Sequence, residues 1–183
     1  MLARAFDDDP AMMWMWPDTA ARRRGLPRLF AAMTKYQHLR QGGVEVVEDA
    51  DGLPGATLWD PPGGWQTSRW TDIRMFPAIV RSFGRRLPVG GAFVELITKH
   101  HPTTPHWYLS TIGTDPAARG AGHGRALLNS RLERCDDEQA PAYLESSKLS
   151  NVPYYERFGF EVTGEIVVPD GGPTIYPMWR EPR

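Results

Sequence analysis

The sequence predicts an α/β fold with parallel strands in the middle of its sheet, on three observations. The C-terminal half alternates strand, helix, strand, helix, strand, and crossovers of that kind join parallel neighbours. Gly120, Gly122 and Gly124 stand at alternate positions between a strand and an amphipathic helix. Two short runs rich in β-formers, Val44–Val47 and Ala56–Trp59, flank an Asp51-Gly52 turn and read as a hairpin.

Taken in order, Leu2 to Phe6 reads as the end of a helix, closed by Asp7-Asp8-Asp9-Pro10, because Asp favours turns and Pro10 cannot continue a helix. Met12 to Trp16 is a crowded apolar stretch, after which Asp18 or Thr19 is placed to cap a helix. That helix runs from Ala20 to about Arg40, with Leu26, Leu29, Phe30, Met33 and Tyr36 at helical spacing. Pro27 either kinks it or marks its first turn, and Gly42-Gly43 ends it. After the hairpin, Asp60-Pro61-Pro62-Gly63-Gly64 breaks the chain. Two or three helical segments fill Thr71 to His100, punctuated by Gly84 and Pro88-Val89-Gly90-Gly91. His106 to Ile112 is a strand, and Gly120 to Glu138 a helix with Leu128, Leu132 and Cys135 on one face. Ala142 to Glu145 is a strand and Val152 to Phe158 a short helix, with closing strands at Glu161–Val168 and Thr174–Trp179.

Composition narrows the class. At 183 residues and 41% hydrophobic, the chain can bury a single core. Its 22 acidic and 21 basic side chains leave a formal charge of −1, which speaks against a nucleic-acid binder. No apolar run reaches the ~18 residues of a membrane span. The acidic cluster in the opening residues is unlike a signal peptide. One cysteine, Cys135, excludes an intrachain disulfide and a multi-cysteine metal site, and fits a reducing cytoplasm. His100, His101 and His106 lack the spacing and carboxylate of a convincing metal site.

The segment from Thr114 to Ala126 carries the chemistry. Glycines without Cβ atoms let the backbone curl around a ligand. N–H groups backed by a helix N-terminus make a concave anion site, with Arg119 and Arg125 flanking it. On the glycines alone, an empty structural turn is the slightly favoured reading. A Walker loop requires Gly-Lys-Ser/Thr, and Gly124 precedes Arg125. A dinucleotide fingerprint requires its third glycine one position later. What remains is Arg119-x-x-Gly122-x-Gly124.

That pattern resembles the acetyl-coenzyme A pyrophosphate loop of the GNAT superfamily of N-acetyltransferases. Downstream, Asn151-Val152-Pro153-Tyr154-Tyr155-Glu156-Arg157-Phe158-Gly159-Phe160 is similar to that superfamily's signature of an asparagine followed by Y-x-x-x-G-F. Within the superfamily, Pro105–Thr114, Tyr143–Ser147 and Val167–Pro173 are similar to segments of the puromycin N-acetyltransferase-like branch. The resemblance covers about the last 80 residues.

The resemblance implies a GNAT fold: a mixed central sheet flanked by helices, its two central parallel strands splayed apart, here His106–Ile112 and Ala142–Glu145. It implies one domain over residues 1–183, with 1–100 on the acceptor side and 101–183 binding acetyl-CoA. Because GNAT chains place a strand before the helix that here holds Leu2–Phe6, the sheet is expected to lack its first edge strand. The implied reaction is acetyl transfer to a primary amine of a small molecule, by direct attack in a ternary complex without a metal. A non-catalytic acyl-CoA-binding or regulatory module and a protein-amine acetyltransferase are the alternatives.

Ile112, Gly113 and Thr114 would meet the pantetheine arm, the turn of Gly120, Ala121, Gly122, His123 and Gly124 the pyrophosphate, and Asn151 the cofactor arm. Tyr155 matches the general acid, the alternative being a core aromatic. Glu145 is the candidate general base, the alternative being a structural carboxylate; His106 and Glu95 are weaker candidates. Phe6, Asp9, Trp14 and Trp59, with Asp8 and Trp16, make an acidic and aromatic set for the acceptor pocket; a solvated cap and core tryptophans are the alternative. The expected partner is a small-molecule amine, with neither nucleic acid nor membrane, and a homodimer is compatible. Cytoplasmic localisation is expected.

Overall fold

The computed structural model describes every residue except Asp51, so the first half of the expected hairpin turn lies outside the described residues. The first element is a one-turn helix, α1 (Leu2–Ala5). Pro10 does more than stop it. Asp9 caps a second short helix, α2 (Pro10–Met15), whose first residue is that proline; its missing N–H is one that a first turn leaves unpaired in any case. The crowded apolar run is therefore helical.

Asp18 caps α3 (Thr19–Ala32), accepting from Ala21 N–H at 2.7 Å. Pro27 lies inside α3; it and Arg23, whose carbonyl it leaves unpaired, are exposed, so the lost rung lies on the solvent side of the helix. The helix then widens into a π turn at Met33–His38, tightens at Leu39–Gln41 and ends on Gly42 at φ +65°. The wide turn presents Gln37 and His38 to one carboxylate, the fully buried Asp60.

The hairpin forms as β1 (Val44–Asp49) and β2 (Gly52–Asp60). Next come α4 (Arg69–Phe83), a 3₁₀ turn at Gly84–Arg86 and α5 (Leu87–His100). Pro88 to Gly91 does not interrupt the chain. Pro88 occupies the first turn of α5, where proline is tolerated, and buried Gly90 lies directly against the Phe83 ring. The remainder is β3 (Trp107–Thr114), α6 (His123–Asp137), β4 (Ala142–Ser146), α7 (Val152–Glu156), β5 (Glu161–Val162), β6 (Ile166–Val167) and β7 (Thr174–Arg180). The single strand expected over 161–168 is thus two short ones, both on β7.

The seven strands order as β1-β2-β3-β4-β7-β5, with β6 also on β7. Among the described residues only β3 and β4 pair in parallel, the crossover being α6. The structure is thus the mixed α/β sheet that the strand–helix alternation predicts. β1 pairs with β2 alone and forms one edge.

Helices cover both faces. On one, Trp107, Leu109, Ala142, Leu144 and Met178 meet Leu128, Leu132 and Cys135 of α6 and Val152 and Tyr155 of α7. On the other, Ala56 and Leu58 meet Leu2, Leu26, Leu29 and Phe30 of α1 and α3. Opposite helical faces thus bury the two sides of a sheet whose side chains alternate. Arg180, 3% exposed, fastens β7 to α6: Asp136 accepts from its Nη1 and Nη2 at 2.7 and 2.8 Å, and Phe158 O from its Nε at 2.8 Å.

Candidate active site

The parallel ladder is short. It joins Trp107 to Ala142, Tyr108 to Tyr143 and Leu109 to Leu144, then stops, although β3 continues for five residues and β4 for two. The register of β2 on β3 shifts at the same level: Leu58 faces Thr111 and Trp59 faces Leu109, so Ser110 is an extra residue. A bulge bends and twists its strand. Here it turns the end of β3 away from β4. Ile112, Gly113 and Thr114 keep their β2 partners on one side and have no ladder partner toward β4. The result is a splay with a polar backbone flank.

Gly113 is glycine for a packing reason. A Cβ there would sit 2.9 Å from Leu2 Cδ2, 3.0 Å from Ala5 Cβ and 3.3 Å from Phe6 Cε2, so α1 crosses directly over the strand. Gly120 and Gly122 are glycines for a conformational reason, at φ +89° and +86° with open space around them. Gly122 is the N-cap of α6, and no side chain caps that helix. Its first N–H groups, on His123, Gly124 and Arg125, therefore face the open turn. Exposed Arg125 stands on the first turn of α6; Gly124 closely approaches the Tyr154 hydroxyl, 2.9 Å from an added Cβ. Ala121 is exposed, and His123 leans toward Asp49 at 3.8 Å. Arg119 is half exposed, donates to Ala5 O at 3.3 Å and lies 3.8 Å from Asp8. Asn151, exposed and with no side-chain capping bond, precedes α7.

Tyr155 is 8% exposed, edge-on to Tyr154 and Phe160, and its hydroxyl has no partner among the described residues. Burial, reinforced by Tyr154 and Asp9, raises its pKa well above the ordinary tyrosine value. It is thus protonated across the physiological range, as a proton donor must be.

Glu145 directly follows the last parallel pair. Its Oε2 accepts from the Tyr108 hydroxyl at 2.6 Å; its Oε1 is buried, without a hydrogen-bond partner, 3.4 Å from His101 Nδ1. No arginine reaches it among the described residues.

The aromatic and acidic set divides. Trp59 is fully buried in the α6-side core, away from any pocket on the α1 and α3 face, because it alternates along β2 with Ala56 and Leu58, which point to that face. Trp16 is core as well, stacked on Phe83 at 4.1 Å and donating to Ser82 O. Phe6 packs on Phe30 at 5.2 Å beside Gly113, and Trp14 rests against Phe93. The three aspartates are engaged by the protein. Asp7 pairs with Arg22 and Arg23, and Asp8 with Lys148, which lowers its pKa. Asp9, 5% exposed, accepts from Ala11 and Met12 N–H at 2.9 and 3.1 Å and from the Ser147 hydroxyl.

Sequence reasoning passed over the aromatic neighbours of Glu145. Trp65 stacks on His101 at 3.9 Å, and Tyr108 and Tyr143 present their edges to it. Only the register of β3 on β4 puts Tyr108 beside Tyr143, and periodicity does not carry that information. Among the described residues no group of three or more His, Cys, Asp or Glu is arranged to hold a metal.

A parallel pair splayed at a bulge, with an uncapped glycine turn at one strand end and a buried carboxylate at the other, defines an acyltransferase frame. The chain belongs to the GNAT acetyltransferase family. The acetyltransferase (GNAT) domain pattern matches residues 90–180. An uncharacterized N-acetyltransferase of Schizosaccharomyces pombe is 30% identical over 172 residues, 87% of this chain and 67% of that protein. A crystal structure of a histone acetyltransferase HPA2 and related acetyltransferase from Corynebacterium glutamicum is 30% identical, with a TM-score of 0.74 over 100% of this chain and 87% of that one. An N-acetyltransferase from Staphylococcus aureus shares the fold at 16% identity and a TM-score of 0.63, over 97% and 90% of the two chains.

Proposed function

We propose that the protein transfers acetyl from acetyl-CoA to a primary amine of a small molecule, by direct attack with both substrates bound. The observation that carries this reading is the early end of the β3–β4 ladder, with Glu145 as the first residue beyond it. The residues fit the donor. Gly120 and Gly122 leave open space, α6 lacks a side-chain cap, and the β3 flank has unused hydrogen-bonding groups. When bound, acetyl-CoA supplies an activated carbonyl and a thiolate leaving group.

The chain's own groups have these roles. N–H groups of Gly120 to Gly124, with Arg119 and Arg125, hold the pyrophosphate. Backbone groups of Ile112, Gly113 and Thr114 align the pantetheine amides, and an N–H of β3 polarises the carbonyl. Asn151 steadies the arm at the start of α7. Glu145 accepts the proton that the ammonium must lose. The Tyr155 hydroxyl donates to the departing sulfur. Its raised pKa makes it a hydrogen-bond donor first, and full transfer accompanies the growth of thiolate charge. Phe6 and Trp14 border the acceptor side, and Asp9 holds that border in place. One domain over residues 1–183, a reducing cytoplasmic setting, a homodimer and a position near the puromycin N-acetyltransferase branch complete the reading. No described helix is long and apolar enough to cross a membrane.

A protein amine is the second reading, favoured by the description of the Corynebacterium glutamicum neighbour as histone acetyltransferase and related acetyltransferase. A thiol-release assay over small amines, puromycin included, and over lysine and N-terminal peptides separates the two. Turnover on small amines, falling ~10²–10⁴-fold in Tyr155→Phe, supports the proposal. Turnover on peptides alone overturns the acceptor class. An unchanged kcat in Tyr155→Phe removes the tyrosine from the mechanism.

A further inference from the structure

Behind Glu145 lies a chain of buried polar contacts that the proposed mechanism leaves unused. His101, 7% exposed, follows the last turn of α5, and His106, 1% exposed, immediately precedes β3. His106 Nδ1 is 2.6 Å from Thr104 O, His106 Nε2 is 3.1 Å from His101 Nε2, and His101 Nδ1 is 3.4 Å from Glu145 Oε1.

These contacts call for more protons than two neutral imidazoles hold. A carbonyl has no proton to give, so His106 Nδ1 carries one. Two facing ring nitrogens need one between them, and a ring nitrogen facing a carboxylate oxygen needs one more. Three contacts therefore require three protons, and two neutral imidazoles bring two. With two, some pair of buried lone pairs faces each other, which low local dielectric makes costly. The other Glu145 oxygen accepts from Tyr108, and the buried Tyr143 hydroxyl, which has no other partner, also lies close to this carboxylate.

We propose that Glu145, His101 and His106 form one proton-holding unit that shares its third proton across the Glu145–His101 contact, and that this unit, rather than Glu145 alone, takes the proton from the incoming ammonium. The base role rests on the amine-acetylation reading; the shared proton does not. His101 is the imidazole suited to the charge. It follows a helix C-terminus, where the backbone dipole favours a cation, and Trp65 stacks on it. His106 is held neutral by burial, which lowers its pKa. The titratable neighbours from the sheet are Tyr108 of β3 and Tyr143 of β4, both kept protonated mainly by burial, with Asp60 of β2 behind Tyr108. β7 contributes the uncharged Trp179, against His106.

In the step, an N–H bond of the ammonium breaks and leaves its electron pair on nitrogen. An O–H bond forms at the Glu145 carboxylate, and the unit's third proton is then held between the buried Oε1 and His101 Nδ1. The unit accepts in its two-proton form and releases the proton to water between turnovers. His101 and His106 are positioning residues, acting through Glu145.

Long-range ¹H–¹⁵N spectra of the histidine rings in the free protein test the shared proton without substrate. The expected result is His106 as the Nδ1–H tautomer, with protons on both ring nitrogens of His101 in the wild type and on one in Glu145→Gln under the same conditions. His106 as the Nε2–H tautomer, or His101 in the same protonation state in both proteins, overturns the proposal. In the thiol-release assay, the acid limb of kcat/KM moves by about one unit in His106→Gln, roughly a tenfold change on that limb. A lower kcat with an unmoved limb reduces His106 to a structural role and overturns the base assignment. Absence of turnover on every amine overturns the acetylation reading and the base role with it, while the spectra still decide the shared proton.

Discussion

Asp9 distinguishes most sharply between a side chain that binds an amine and one that holds the fold. It is nearly buried, caps α2 through two backbone N–H groups, and accepts from Ser147 just past the end of β4. Asp9→Ala removes all of these at once. Loss of the cap costs about 1 kcal/mol and loss of the charge-assisted Ser147 bond about 1–2 more, for a total of ~2–3 kcal/mol. For a chain of this length each kcal/mol moves Tm by roughly 2–4 °C, so the expected drop is ~4–12 °C. Asp9→Asn keeps a capping oxygen and a group for Ser147, and is expected to cost under ~1 kcal/mol. Thermal unfolding of both variants, beside KM for the best amine, is the assay. If Asp9 is structural, Tm falls in the alanine variant and KM stays within about threefold in the asparagine variant. A KM raised tenfold or more in Asp9→Asn at unchanged Tm would mean instead that the carboxylate charge holds the substrate.

Two glycines and one ion pair extend the set. Gly113→Ala, with its Cβ driven against Leu2 and Ala5, is expected to cost ~1–3 kcal/mol by overpacking and to lower Tm accordingly. Gly120→Ala meets no neighbour but carries a side chain at φ +89°; it should cost ~1 kcal/mol and weaken coenzyme binding measured by calorimetry. Asp8, Asp115, Asp136 and Glu138 all have lowered pKa values, each chiefly through a hydrogen bond from a basic side chain. A carboxyl whose folded pKa is depressed adds stability that is complete above the unfolded value of about 4 and is lost as pH falls through the folded value. Asp136→Asn should therefore destabilise near neutral pH, by leaving the Arg180 guanidinium unpaired, and the gap from wild type in denaturant titrations should narrow below about pH 4.

Much of the frame is local chemistry and is legible as such. Asp18 before a helical repeat is a cap, Gly42 an end, and the alternation around α6 a parallel crossover. Local signals mislead where the environment outranks them. Pro88-Val89-Gly90-Gly91 looks like a break and lies inside α5, since proline fits a first turn and Phe83 occupies the space beside Gly90. Trp59 looks like one more aromatic of the acceptor side, but alternation with Ala56 and Leu58 turns it to the α6 face. Which face of the hairpin meets which helices is set by packing, and the run Ala56–Trp59 does not carry it.

By itself, the sequence determined the α/β class, the positions of most elements and the glycine turn, because each depends on residues close together in the chain. Only the tertiary structure decided where β3 and β4 part, what engages the three aspartates, and that Glu145, His101 and His106 meet in one buried chain. Those facts depend on strand register and on contacts between residues dozens of positions apart, where burial and proton count, rather than pattern, choose the partners.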